Sequence, residues 1–83
     1  MKVNVKYFAS IRESVGTGSE QLESTAATLS QLRDELVARG GAHAQSLARG
    51  RAVRVALNQV MSDEAADLTE GCEVAFFPPV TGG

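Results

Sequence analysis

The chemistry this chain can offer is concentrated in its closing segment, Phe76-Phe77-Pro78-Pro79-Val80-Thr81-Gly82-Gly83. Taken as a terminus, Gly83 carries an α-carboxylate. An ionised carboxylate is a poor electrophile, but as an acyl-adenylate it is open to attack by a thiol, an amine or a sulfide. Glycine suits the reacting position because no side chain shields the carbonyl carbon, and Gly82 keeps the preceding backbone equally thin. Pro78 and Pro79 lack the N–H that a sheet ladder needs, so they end the strand before them and stiffen the chain beyond. The residues after Pro79 span roughly 13 Å, at about 3.3 Å per residue. The segment predicts a narrow, stiff probe that delivers its own terminus into a channel on a partner.

No side-chain constellation competes with it. Gly16-Thr17-Gly18 supplies two glycines of a dinucleotide fingerprint, but Gln21 stands in the third place and no helix is expected after it, so it reads as a turn. His43 is the single histidine, too few for a triad or a metal cluster, and reads as a surface or loop residue; no metal site is expected. Cys72 is the single cysteine; it excludes an internal disulfide and reads as a small core residue. Asp63, Glu64 and Asp67 read as a solvated acidic loop, and Met61 as core.

Composition narrows the function further. Eighty-three residues make one small domain, too small to enclose an ordinary active site alone, which points to a partner. The net charge of −2 argues against a general nucleic-acid binder. Arg49, Arg51 and Arg54 form a local basic stretch that reads as a solvated turn and strand face. There is no apolar run of membrane-spanning length and no secretory signal, so the expected location is the cytoplasm, away from the membrane.

The elements that must position the tail are set by periodicity. Val3, Val5 and Tyr7 alternate with Lys2, Asn4, Lys6 and Phe8, the pattern of a half-buried strand. Residues 12–19 read as a turn and residues 19–24 as a short returning strand. Thr28 and Gln31 form a capping box, Leu29, Leu32, Leu36 and Val37 make one apolar stripe, and Gly40 suits the position past the end. This predicts a helix over residues 29–39. Residues 41–50 read as a loop with a short helical turn around 44–48. Val53, Val55 and Leu57 make a third strand, Asn58-Gln59 a tight turn, and Val60-Met61 a fourth strand. Residues 62–71 are polar, with a turn at Glu70-Gly71, before Cys72, Val74 and Phe76 alternate through the final strand. The order β-β-α-β-β-β is that of an α+β two-layer domain, a mixed sheet covered on one face by one main helix.

Such a sheet should be polar on its uncovered face. Here Phe8, Ala56, Ala75 and Phe77 fall opposite the core positions and add up to an apolar patch near the tail. Patches of this kind mark partner surfaces. Phe8, Ala75 and Phe77 are the expected docking residues.

The blocks Val5-Lys6-Tyr7-Phe8-Ala9 with Ile11-Arg12-Glu13, Ala56-Leu57-Asn58-Gln59, and Glu73-Val74-Ala75-Phe76-Phe77 running into the Pro-Pro and Gly-Gly end resemble the ubiquitin-like sulfur-carrier family, in particular its molybdopterin synthase small subunits. The resemblance covers the whole chain. It implies a β-grasp domain over residues 1–77 and an extended tail over 78–83. It also implies a mechanism in which an E1-like adenylyltransferase uses ATP to adenylate Gly83. A sulfurtransferase then supplies sulfur, giving a thiocarboxylate. Pro78, Pro79, Val80, Thr81 and Gly82 would thread this end into the synthase large subunit, which would supply the catalytic side chains. There the sulfur passes to cyclic pyranopterin monophosphate, in a heterotetramer of two small and two large chains that builds the dithiolene of molybdenum cofactor biosynthesis. No permanently bound cofactor is implied. Many relatives carry an acidic residue where this chain has Cys72. The alternatives are a thiamine-pathway sulfur carrier, a ubiquitin-like protein modifier joined through Gly83 to lysines, and a plain interaction module.

Overall fold

The computed structural model describes residues 1–79. Five strands and three helices succeed one another as β1 (Lys2–Tyr7), α1 (Ala9–Val15), β2 (Ser19–Glu23), α2 (Leu29–Ala38), α3 (Gly41–Leu47), β3 (Arg54–Leu57), β4 (Val60–Ser62) and β5 (Glu73–Phe77). The strands form one sheet in the order β2-β1-β5-β3-β4. The first and last strands lie side by side and parallel in the centre; the other neighbours are antiparallel. This is the β-grasp arrangement, an α+β domain, and its consequence is that the chain leaves the sheet from a central strand.

The core explains why. Val3, Val5 and Tyr7 from β1 and Val74 and Phe76 from β5 are at most 1% exposed, and they face Leu29, Leu32 and Leu36 of α2. Burying each such side chain contributes about 1.5–3 kcal/mol. The α2 cap forms as its sequence predicts, with the Gln31 N–H donating to the Thr28 hydroxyl at 3.3 Å. The Gln31 side chain reaches back one residue further than a capping box requires, accepting from the Ala27 N–H at 2.7 Å. Gly40 follows the helix at φ 75° and ψ −169°, a conformation open to glycine for want of a Cβ. Asn58 and Gln59 both have positive φ, 50° and 68°, and join Leu57 to its partner Val60 in a two-residue hairpin.

Two helices depart from the sequence reading. Residues 12–19 were expected to be a turn, yet α1 runs through the first half of that stretch, to Val15. Its N-cap, Phe8, offers no side-chain hydrogen bond, so the usual start signal is missing. Burial of Ile11 in the core and Gly16 at φ 88°, whose N–H donates to the Arg12 carbonyl, hold it instead. Ala9 at φ 51° turns the chain sharply out of β1. The second departure is α3, a seven-residue helix where a loop with one helical turn was expected. It starts on two positive-φ glycines and is fixed by tertiary contacts rather than by a cap.

Arg33 supplies much of that fixation. It is 4% exposed, and its guanidinium donates to the carbonyls of Leu47 (2.7 Å), Ala48 (2.7 Å) and Arg51 (3.1 Å) and to Glu64 (2.8 Å). One side chain thus ties α2 to the end of α3 and to the segment leading into β3. Glu64 also pairs with Arg49. Part of the acidic stretch expected to be solvated is therefore the counter-charge of a buried arginine, and Asp67 forms an isolated bridge with Thr28.

Candidate functional site

The site is the place where the tail leaves the sheet. β5 ends at Phe77, and Pro78 and Pro79 follow outside the ladder, half-buried. Val80, Thr81, Gly82 and Gly83, expected to thread and react, lie outside the described residues. The structure therefore speaks to the root of the tail and to the surface around it.

That root is held from both sides. On the covered face, the rings of Tyr7 and Phe76 stack at 6.3 Å with an interplanar angle of 18°. Next to them the Phe8 N–H donates to the Phe76 carbonyl at 3.1 Å. On the uncovered face, Phe8 meets Phe77 edge-to-face at 6.3 Å and 87°. Phe8 lies just past the end of β1, and the expected pairing of Phe8 with Phe77 on one surface is present.

The register completes the uncovered face. Lys6 pairs with Ala75, Ala75 with Ala56, and Ala56 with Met61, which makes one row across four strands. Ala75 and Ala56 are each 7% exposed, so they form a shallow floor between bulkier neighbours. Phe8 at 46% and Met61 at 54% exposure are its prominent apolar groups. Met61 was expected in the core. Its position opposite Ala56 puts it on the uncovered side of a three-residue edge strand, where no helix reaches it. Ala56, which could have signalled the face, sits across from it in the register.

A second polar cluster lies on the covered side, around Glu20. Its carboxylate accepts from the Tyr7 hydroxyl at 2.7 Å and from Arg39 at 2.8 Å, and lies 3.1 Å from His43 Nε2. Burial pushes the Glu20 carboxyl upward, but the hydrogen bonds from Arg39, Tyr7 and His43 outweigh it and hold its pKa at about 2, against an ordinary 4.5. Burial, reinforced by the hydrogen bond to Glu20 and its negative charge, pushes the Tyr7 phenol strongly upward. His43, expected on a surface or loop, sits instead on α3 with its ring edge-on to Tyr7 at 5.8 Å. At neutral pH this carboxylate is ionised and both of its oxygens are engaged within the fold. The cluster is a clasp between β1, β2 and the α2–α3 junction.

Cys72 is 3% exposed in the core, which agrees with its sequence reading. Among the described residues no group of His, Cys, Asp and Glu could hold a metal ion. Among them, too, no helix is long and apolar enough to cross a membrane.

Comparison with known proteins places this geometry. The chain belongs to the ThiS family, which it matches over residues 5–83. It is 41% identical to the molybdopterin synthase sulfur carrier subunit of Haemophilus influenzae, over 98% of this chain and 99% of that one. Among solved structures it resembles SAMP1 from Haloferax volcanii, with TM-score 0.78 and 26% identity over the full length of both chains. It also resembles a chain of the complex of subunits 1 and 2 of molybdopterin-converting factor from Helicobacter pylori, with TM-score 0.70 and 26% identity, again over the full length of both.

Proposed function

We propose that this chain is the sulfur-carrier subunit of a molybdopterin synthase, working in the cytoplasm, with the backbone terminus of Gly83 as its reacting group. The observation that carries the reading is the end-to-end likeness to a sulfur carrier subunit, retained through the tail that leaves a central strand. Cys72, the single thiol, is 3% exposed and so is not presented to a partner.

In this reading the Gly83 carboxylate attacks the α-phosphate of ATP on an E1-like adenylyltransferase, releasing pyrophosphate and leaving an acyl-adenylate. A persulfide sulfur from a sulfurtransferase displaces AMP to give an acyl disulfide, and a thiol then attacks its sulfurtransferase-side sulfur, leaving as a mixed disulfide and releasing the thiocarboxylate. The tail then enters the synthase large subunit, where the thiocarboxylate sulfur bonds to cyclic pyranopterin monophosphate and water cleaves the acyl–sulfur bond, so that the sulfur stays on the pterin and Gly83 returns as a carboxylate. The contribution of this chain is delivery. Pro78 and Pro79 would limit the directions the tail samples, and Val80, Thr81 and Gly82 would thread the channel. Phe8 and Phe77, with Ala75 as the floor between them and Met61, would seat the body against the large subunit.

Intact mass spectrometry of the chain co-expressed with its activating enzyme and sulfur source tests this. A species heavier by one oxygen-to-sulfur exchange, mapping to Gly83, is expected. Unmodified chain alone would overturn the reading. Gly-Gly remnants on lysines of other proteins would favour a protein modifier instead.

A further inference from the structure

The basic stretch of the sequence is one run of arginines, but the fold gives its members different roles. Arg49 is fully engaged, pairing with Asp34 and Glu64 and donating to the Ser30 carbonyl and hydroxyl. Arg51 and Arg54 are exposed, and among the described residues neither guanidinium pairs with a carboxylate. Both stand at the root of the tail. Arg51 lines a cleft of about 300 Å³ with Ser10, Ser14, Ser46 and Pro78. Arg54 is the register partner of Phe77 and lines the adjoining groove with Pro79 and Met61. Ala52 belongs to both grooves, so the two arginines flank Pro78-Pro79 on either side of a shared wall.

We infer that Arg51 and Arg54 form a basic rim around the tail root that engages acidic side chains at the mouth of the channel receiving the tail. The inference rests on the sulfur-carrier reading, which supplies a channel and a partner. Local charge supports it, because these two groups present positive charge that no carboxylate among the described residues neutralises, on a chain whose net charge is −2, and an acidic partner group would neutralise it. Continuity supports it as well, since the rim adjoins Phe77 and Met61, the apolar part of the same surface. An exposed guanidinium presents a planar fork of N–H donors that matches a carboxylate in two parallel hydrogen bonds. Asp63 and Glu64 line the second groove, but Glu64 is held by Arg33 and Arg49, and Asp63 accepts from the Ala65 N–H. Two charges release too few counterions to select nucleic acid. They are enough to steer and orient a protein partner.

The test is calorimetric titration of the full chain with the large subunit of the same organism, at low and high salt. The double variants Arg51→Gln/Arg54→Gln and Arg51→Glu/Arg54→Glu are compared with wild type. Charge reversal should weaken binding about tenfold at low salt, with neutralisation intermediate and the gap closing as salt screens the charges. Lys2→Glu, at the far end of β1, changes net charge without touching the rim and should stay within about twofold of wild type. Circular dichroism should show both doubles folded; the single variants, each with a partial effect, serve if one double does not fold. Wild-type affinity in both folded doubles would overturn the rim. Tighter binding by the variants would also overturn it, because it would mean that the arginines hold the chain's own carboxylate. Failure of the wild-type chain to bind would overturn the sulfur-carrier reading together with the rim.

Discussion

The two faces of the sheet differ in how completely they satisfy their own groups. On the covered face, Tyr7, Phe76, Val74 and Leu36 are at most 1% exposed, and the charged groups there are bonded: Arg33 to three carbonyls and Glu64, and Glu20 to Tyr7 and Arg39 with His43 beside it. On the uncovered face, Phe8 and Met61 stand about half exposed and Arg54 is unpaired among the described residues. One face is closed on itself, whereas the other leaves apolar area and charge open to a partner. The chain leaves between them, from the end of the central strand β5. Stability and delivery are therefore separable by mutation, and the sharpest tests change one without the other.

Deleting Gly83 should have the largest effect. Sulfur transfer should fall to background while the thermal midpoint and large-subunit affinity barely change, because a glycine has no side chain to bury. Loss of folding on that deletion would break the separation of the two regions. Phe76→Ala probes the opposite side. It empties a fully buried aromatic site and should cost about 3–5 kcal/mol in denaturant unfolding, a large share of what a domain of this size has. A cost below about 1 kcal/mol would show that the covered face is not the stabilising one.

Phe77→Asp, one residue further along the same strand, should weaken large-subunit binding about tenfold or more while costing roughly 1 kcal/mol or less of stability. Parallel titration and unfolding measurements distinguish that result from a core role. The smallest effect belongs to the clasp. The Glu20 pKa of about 2 lies below its ordinary 4.5, so its stabilisation is present above pH 4.5 and is lost as pH falls towards 2. Glu20→Gln should therefore lower stability at neutral pH and flatten the acid limb of the stability profile between pH 5 and 2. An unchanged acid limb would mean that the clasp contributes nothing to the covered face.

The sequence conveyed these two regions unequally. β1, α2 and β5 were legible because each repeats an apolar residue at its own period, β2 rested on Leu22 alone, and the Thr28 cap and the Asn58-Gln59 turn carry their own local chemistry. α1 was not, since Phe8 provides no cap and seven residues hold only Ile11 and Val15 on one side. α3 was obscured by its leading glycines, which read as loop until burial of Leu47 and the carbonyl bonds from Arg33 are known. Arg33 itself had a signal. It follows Leu29 by four residues and so lies on the apolar stripe with Leu32 and Leu36, where a charged residue implies a buried partner. The apolar uncovered face was partly legible through Phe8, Ala75 and Phe77. Met61 was not, because a short edge strand has too few residues to show which face its side chains take. The sequence showed Arg49, Arg51 and Arg54 as one run; tertiary contacts alone separate the bonded Arg49 from the other two.

The central claim is that this chain carries sulfur on its backbone terminus, and a single-turnover transfer tests it most directly. Purified thiocarboxylated chain is mixed with the large subunit and cyclic pyranopterin monophosphate, and sulfur is followed by intact mass and by product formation. The account predicts that Gly83 returns to the carboxylate in step with dithiolene formation, with one chain consumed for each sulfur delivered. Product formed while the thiocarboxylate persists, or a terminus that stays loaded beside a competent large subunit, would contradict it.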